Sequence, residues 1–299
     1  MFKKSISVTH VAALNGHKDS IYALTGDDAQ FIYSSGGDGM VVQWDLAEPK
    51  DGVLLAKVDS SVYALGYGFD GLLVVGNNYN GINVVKIATK EMLFSIPMPS
   101  CGLIFDILIH LDFIYVATQS GYLYQVNLWA RNVEKLFVST KSLRSIKKTD
   151  SGFLVSDSLG KVYFLNDHLE IVHTVNEAEK SVFSTLIIDY ELLTVSRDCH
   201  LRRYKGLEMI QDQVAHMYAI NDISLHPENL FFATASQDKT IKLWDTKSTK
   251  LLKVIDATRH NGHLNSVNKL FWSRYNNLLV SCSDDRSIKI WSLEIEEIQ

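Results

Sequence analysis

His17, Ser34 and Asp38 stand early in this chain, His216, Thr234 and Asp238 in its last third, and His263, Ser281 and Asp285 near its end. A histidine, a hydroxyl and a carboxylate are the parts of a hydrolytic triad, in which the imidazole takes the hydroxyl proton and the carboxylate orients the imidazole. Here the set occurs three times, each with a tryptophan (Trp44, Trp244 and Trp291) that follows the histidine by 27, 28 and 28 residues. A catalytic centre needs one nucleophile. Three copies with a fixed indole partner point to a repeated structural unit, so no residue is assigned to catalysis and the 10 histidines are not assigned to a metal.

The elements that position these residues recur with them. A turn before the last strong strand of each unit can be followed at Asp38, Asn80, Ser120, Leu159, Asp198, Asp238 and Asp285, with gaps of 39 to 47 residues. Each unit has an apolar run, a turn, and two further runs joined by a tight polar turn, as in Phe31 to Ser35 and Met40 to Trp44 around Gly36, Gly37, Asp38 and Gly39. At the same place Asp238-Lys239 and Asp285-Arg286 lack glycine, which predicts a turn there that accepts ordinary residues. Runs such as Leu72 to Val75 are apolar without alternation, the signature of strands buried on both faces. A period near forty fits a four-stranded sheet repeated around a ring.

The copies reading GHKDSIYAL…YSSGGDGMVVQWD, AHMYAINDISLHP…ATASQDKTIKLWD and GHLNSVNKLFW…VSCSDDRSIKIWS resemble the WD40-repeat family. The resemblance implies an all-β, seven-bladed β-propeller occupying residues 1–299 as one domain. It also implies that His17, Ser34, Asp38 and Trp44 form a hydrogen-bonded structural tetrad, as do His216, Thr234, Asp238 and Trp244, and His263, Ser281, Asp285 and Trp291. In that arrangement the aspartate orients the histidine, the histidine contacts the hydroxyl, and the hydroxyl meets the indole N–H. Units two to five depart from the pattern: none opens with a Gly-His pair, and unit five keeps Thr194 and Asp198 but has Tyr204 in place of tryptophan. Ser5 to Leu14 precedes the first unit and is expected to form the outer strand of the seventh blade, closing the ring. Leu293 to Gln299, with Glu294, Glu296 and Glu297, is too acidic to supply another buried strand.

Composition narrows the functional classes. Seven units consume almost all of the 299 residues, and a 46% hydrophobic content supports a folded chain. The 29 Lys and Arg against 34 Asp and Glu leave a net charge of -5, without the concentrated basic footprint of a nucleic-acid binder. Lys141, Arg144, Lys147 and Lys148 form the densest basic group, which reads as solvated surface moderated by Asp150 and Asp157. Cys101, Cys199 and Cys282 lie in three different units and fit reduced thiols in a cytoplasmic protein. No run is long enough to span a membrane. Asp256 to Gly262 is the longest insertion and is expected to be the part that adapts most on binding.

The position after the first apolar anchor of each unit reads Tyr22, Tyr63, Phe105, Arg144, Phe183, Asn221 and Asn268. These would border one mouth of the central channel, where aromatic area and an arginine suit a binding hot spot. A second rim, one residue before the recurring turn position, includes Tyr79, Gln119, Ser158, Arg197, Gln237 and Asp284. The reading is therefore a non-catalytic scaffold that binds a protein or peptide, needs no cofactor, and is a monomer alone. The alternatives are an enzyme with a channel pocket using Asp106, Asp222 and Arg144, or a subunit of a constitutive complex touching partners through Phe69, Tyr190 and Tyr275.

Overall fold

Seven antiparallel four-stranded sheets account for every described strand in the computed structural model, which describes residues 3–27, 29–176 and 180–298. Six sheets follow chain order from an inner strand outward. Their inner strands are Ile21–Gly26, Leu65–Gly68, Ile104–His110, Leu143–Thr149, Val182–Ile188 and Ile220–Leu225, numbered here as blades one to six. Blade seven runs from Val267–Ser273 through Leu278–Ser283 to Ser287–Ile298, and its outermost strand is Lys3–Asn15. That N-terminal strand pairs with the C-terminal one from Lys3 opposite Ile298 to Asn15 opposite Ser287. The acidic tail is thus no separate strand; through Ile298 it prolongs the last one.

Strand alternation explains the unbroken apolar runs. In blade two, Leu72 and Val74 pack toward blade three, while Leu73 and Val75 pack toward blade one. Among the described residues there are seven such apolar clusters, one in each cleft between neighbouring blades. The cleft between blades seven and one, filled by Leu14, Ile21, Ile32, Val280, Cys282 and Ile288, closes the circle. Each sheet therefore buries both faces, and removing apolar area from water at every cleft holds the blades in place.

The tight turns hold a surprise. Gly39 has φ +67, and a Cβ there would meet the Val58 carbonyl at 2.2 Å. Lys239 and Arg286, at the corresponding positions, have φ 74 and 68. They use the left-handed turn that glycine favours, at a cost of about 1 kcal/mol each, rather than a turn suited to ordinary residues.

The expected adaptable insertion is also ordered. Ala257–His260 forms one helical turn capped by Asp256, whose carboxylate accepts from the Arg259 backbone N–H at 2.8 Å and from Arg259 Nε at 2.8 Å. Internal capping and the contacts of its last carbonyls, described below, restrain a segment expected to be loose.

Candidate functional site

All seven channel-mouth positions meet. Tyr22, Tyr63, Phe105, Arg144, Phe183, Asn221 and Asn268 line one depression of about 380 Å3, together with Leu103 and Lys269. The backbone supplies the reason. In six blades the pairing of the inner strand skips one residue, between Ile21 and Ala23, Ile104 and Asp106, Leu143 and Ser145, Val182 and Ser184, Ile220 and Asp222, and Val267 and Lys269. Each skipped residue is a member of the ring, and Tyr63 sits just ahead of its blade's inner strand. A bulge leaves one residue without a partner across the ladder and bends the strand, which re-aims that side chain.

The ring has two unlike halves. Tyr22 and Tyr63 approach at 4.8 Å between ring centres, and Tyr63 lies 6.2 Å from Phe105. The Arg144 guanidinium carbon stands 3.9 Å from the centre of the Phe105 ring and 4.7 Å from that of Phe183. Its Nε is buried without a hydrogen-bond partner. Burial, reinforced by Arg197, pushes its pKa down to about 10. Opposite, the asparagines are occupied. Asn221 Nδ2 donates to Ser266 Oγ at 3.0 Å and to the Val267 carbonyl at 2.8 Å, tying blade six to blade seven. Asn268 Nδ2 donates at 2.8 Å to both the Ile21 carbonyl and Asp284 Oδ1, tying blade seven to blade one.

Below the mouth, Asp106, Lys147, Asp222 and Lys269 share a cavity of about 240 Å3. Both carboxylates are engaged across blades: Asp106 accepts the Ile146 N–H at 2.9 Å and Asp222 the Leu270 N–H at 3.0 Å. Lys269 Nζ lies 3.9 Å from Asp222. Burial opposes its charge, but Asp222 and Asp106 outweigh that and hold its pKa above the ordinary value. The basic run is not all solvated surface: Lys141 is exposed, but Arg144, Lys147 and Lys148 lie on the inner strand Leu143–Thr149. Arg144 and Lys147 line the channel cavities, and Lys148 pairs with Asp167 at 3.2 Å. No group of His, Cys, Asp and Glu suited to a metal occurs among the described residues.

The repeated histidine sets resolve into hydrogen-bonded chains. His17 Nδ1 meets Asp38 at 3.0 Å, His17 Nε2 meets Ser34 Oγ at 2.8 Å, and Trp44 Nε1 donates to Ser34 Oγ at 2.8 Å. In blade six the corresponding distances, through His216, Asp238, Thr234 and Trp244, are all 2.8 Å. Carboxylates only accept, so Nδ1 carries a proton in each pair. Burial lowers the pKa of His216 and His263, leaving Nε2 to accept from the hydroxyl. Burial also works against ionised Asp238 and Asp285, but bonds from the histidines prevail and hold both well below the usual carboxylate range. The aspartates further accept the Lys18, Met217 and Leu264 N–H groups, so they shape loops.

Blade seven breaks the expected pattern. His263 still joins Asp285 and Ser281, each at 2.8 Å, but Trp291 Nε1 donates to the His260 carbonyl at 3.2 Å. The inserted helical turn places an unpaired terminal carbonyl beside the indole, and Lys289 donates to the next ones at Asn261 and Gly262. The tetrad of Trp291 is therefore a triad plus a helix clasp.

With seven four-stranded blades and these polar chains in place, comparison with known proteins is decisive. The WD domain, G-beta repeat family matches at residues 8–45, 208–245 and 254–292. The chain belongs to the WD40-repeat family. Its fold superposes on a crystal structure of the WD40 beta propeller domain of Doa1 with a TM-score of 0.84, covering 95% of this chain and 97% of that one at 15% identity. U3 small nucleolar RNA-associated protein 13 of Saccharomyces cerevisiae is 39% identical over 324 residues, taking in 99% of this chain and 37% of the relative. Polycomb protein esc of Drosophila virilis is 26% identical over 128 residues, 40% of this chain and 30% of the relative. The chain thus spans well under half the length of these curated relatives.

The middle WD40 blades use other polar networks at the same corner. In blade four the work falls not to Leu159 but to Asp157, two residues earlier and fully buried rather than solvated. It accepts from Ser139 Oγ at 2.6 Å, the Tyr163 hydroxyl at 3.0 Å, and the N–H groups of Leu159 and Lys161 at 2.9 Å. In blade five Asp198 binds Arg202 at 2.8 Å, so an arginine on the neighbouring strand replaces the absent histidine, and Thr194 Oγ1 is left unbonded. Of the second rim, Gln119 accepts the Leu103 N–H and Asp284 accepts from the Asn268 amide, while Tyr79 and Arg197 are exposed.

Proposed function

We propose that this propeller is a non-catalytic binding module that receives a protein or peptide segment at the channel mouth. The observation that supports it is the convergence of Tyr22, Tyr63, Phe105, Arg144 and Phe183 on one depression, while the channel carboxylates are engaged in blade-to-blade bonds. Aromatic side chains bury large area with few torsions to freeze, which suits a hot spot. On the loops beside Asp238 and Asp285, Met217 is 81% exposed and Leu264 71%. A cytoplasmic, monomeric state is part of the proposal.

Affinity capture from native extract with wild type and with a Tyr22→Ala/Tyr63→Ala variant tests this reading. Partners retained by wild type and by Trp129→Ala on the opposite end of the blades, but lost from the tyrosine variant, support it. Partners equally retained by the folded tyrosine variant refute it.

A second reading, a fixed subunit of a larger assembly, has its own observation. The turns at the far end of the blades expose Tyr190 at 90%, Leu111 and Trp129. Tyr275, expected to join them, instead packs against the cleft between blades seven and one, and the Phe69 side chain lies outside the described residues. The yeast relative is named for association with a small nucleolar RNA, which fits such an assembly. Sizing the protein from native extract by gradient decides between them: a species no larger than its single polypeptide excludes constitutive assembly.

A further inference from the structure

We propose that the channel mouth recognises an acidic peptide segment, with one Asp or Glu carboxylate seated on Arg144. This rests on the binding-module reading above and names the ligand chemistry.

The first argument is exclusion. An aromatic-lined depression ordinarily suits a cationic ligand, because ring faces attract positive charge. Here Arg144 already occupies the faces of Phe105 and Phe183. A lysine or arginine of a partner would meet a resident guanidinium, with Lys269 also in the lining and Arg197 close enough to depress the Arg144 pKa. Like charges at such range repel.

The second argument is an unmet demand. No salt bridge to Arg144 exists among the described residues, and its Nε has no acceptor. The carboxylates nearest below, Asp106 and Asp222, are held by the Ile146 and Leu270 N–H groups and by Lys269. A guanidinium buried without its counter-charge is destabilising, and the fork of N–H donors matches the two oxygens of a carboxylate. The chain as a whole is acidic, so this local excess of positive charge is not a reflection of composition.

The third argument selects carboxylate over phosphate. A phosphate dianion calls for several donors. Both asparagine amides donate into the ring itself, and Lys269 faces Asp222, which leaves Arg144 and the tyrosine hydroxyls for a ligand. Lys180 and Arg197 line a separate depression with Ser158 and Ser181. A singly charged group is the better match.

The test uses the full chain and fluorescent seven-residue peptide pools, randomised except for a central Glu, Gln, phosphoserine or Lys, read by anisotropy. Wild type should bind the Glu pool at least tenfold more tightly than the Gln or Lys pools, with the preference shrinking as salt rises. Arg144→Met should abolish that preference while the melting temperature stays level or rises, because an uncompensated charge is removed; Arg144→Lys should keep the fold and lose most of the preference. Glu binding that survives Arg144→Met in folded protein overturns the proposal, as does a preference for Lys or for phosphoserine. Binding that depends on Tyr22 and Tyr63 with no preference among pools overturns the acidic ligand and leaves the binding module standing. No pool bound at all overturns the acidic ligand, and Arg144→Met melting lower than wild type then assigns Arg144 to structure, while the binding module is judged by the capture experiment.

Discussion

The blades at the two ends of the chain and those in its middle solve the same structural problem with different chemistry, and they contribute unlike side chains to the channel mouth. Blades one, six and seven anchor their loops through His–Asp pairs. Blades two to five use other means, such as the buried Asp157 or the Asp198–Arg202 pair. At the mouth, blades six and seven supply asparagines spent on stapling neighbours, whereas blades one to five supply aromatic rings and an arginine without a carboxylate. The corner of a blade needs its polar groups satisfied; it does not need one set of residues to do so. Freed from a fixed motif, the middle blades hold most of the side chains available to a ligand.

The comparison is broken most severely at Asp157. Replacing it with alanine strips four donors of their acceptor in a buried corner and should cost about 3 kcal/mol in urea unfolding. A loss below about 1 kcal/mol would mean that blade four relies on apolar packing alone. Next, Trp244→Phe removes the indole donor to Thr234 and should cost about 1 to 2 kcal/mol by the same measurement. Ligand affinity per folded molecule should not change; a weaker ligand with unchanged stability would contradict the structural role.

Acid should reach the end blades first. The folded pKa values of His216 and His263 lie below the ordinary 6.5, so the unfolded chain takes up protons before the folded one. Their contribution is complete above pH 6.5 and declines as pH falls below it. Asp238 and Asp285 add a further loss below about 3.8, since their folded values are also depressed. Hydrogen exchange at pH 5.5 should show blades six and seven losing protection before blade four, and uniform loss would remove the distinction. The smallest contrast lies within the ring. Asn268→Ala should cost about 1 kcal/mol, while Tyr22→Phe, which removes only a hydroxyl from the lining, should stay within about 0.5 kcal/mol.

The seven blades and the ring of mouth residues were legible because each depends on spacing: a period near forty, and a place one residue beyond the first apolar anchor. The bulges that aim those residues were not, since an unpaired residue leaves no mark on a pattern of apolar and polar positions. Asp157 was misplaced because blade four lacks the Gly-His pair and the tryptophan of the repeat, and counting alone lands on Leu159. The sequence also could not tell that an insertion would fold into a helical turn and offer Trp291 a carbonyl in place of Ser281. Arg144 was found, but its lack of a counter-charge is a fact of three-dimensional placement.

The pairing of Lys3–Asn15 with Ser287–Ile298 also sets a schedule for synthesis. At ribosomal rates of roughly 5 to 20 residues per second, the first strand waits on the order of 15 to 60 s before its partner emerges. Through that interval it is an unpaired segment whose apolar Ile6, Val8 and Val11 could join a neighbouring chain. Ser7, Thr9 and His10, set between them, keep that segment from being a continuous apolar template. Its polar alternation serves the nascent chain as well as the finished ring.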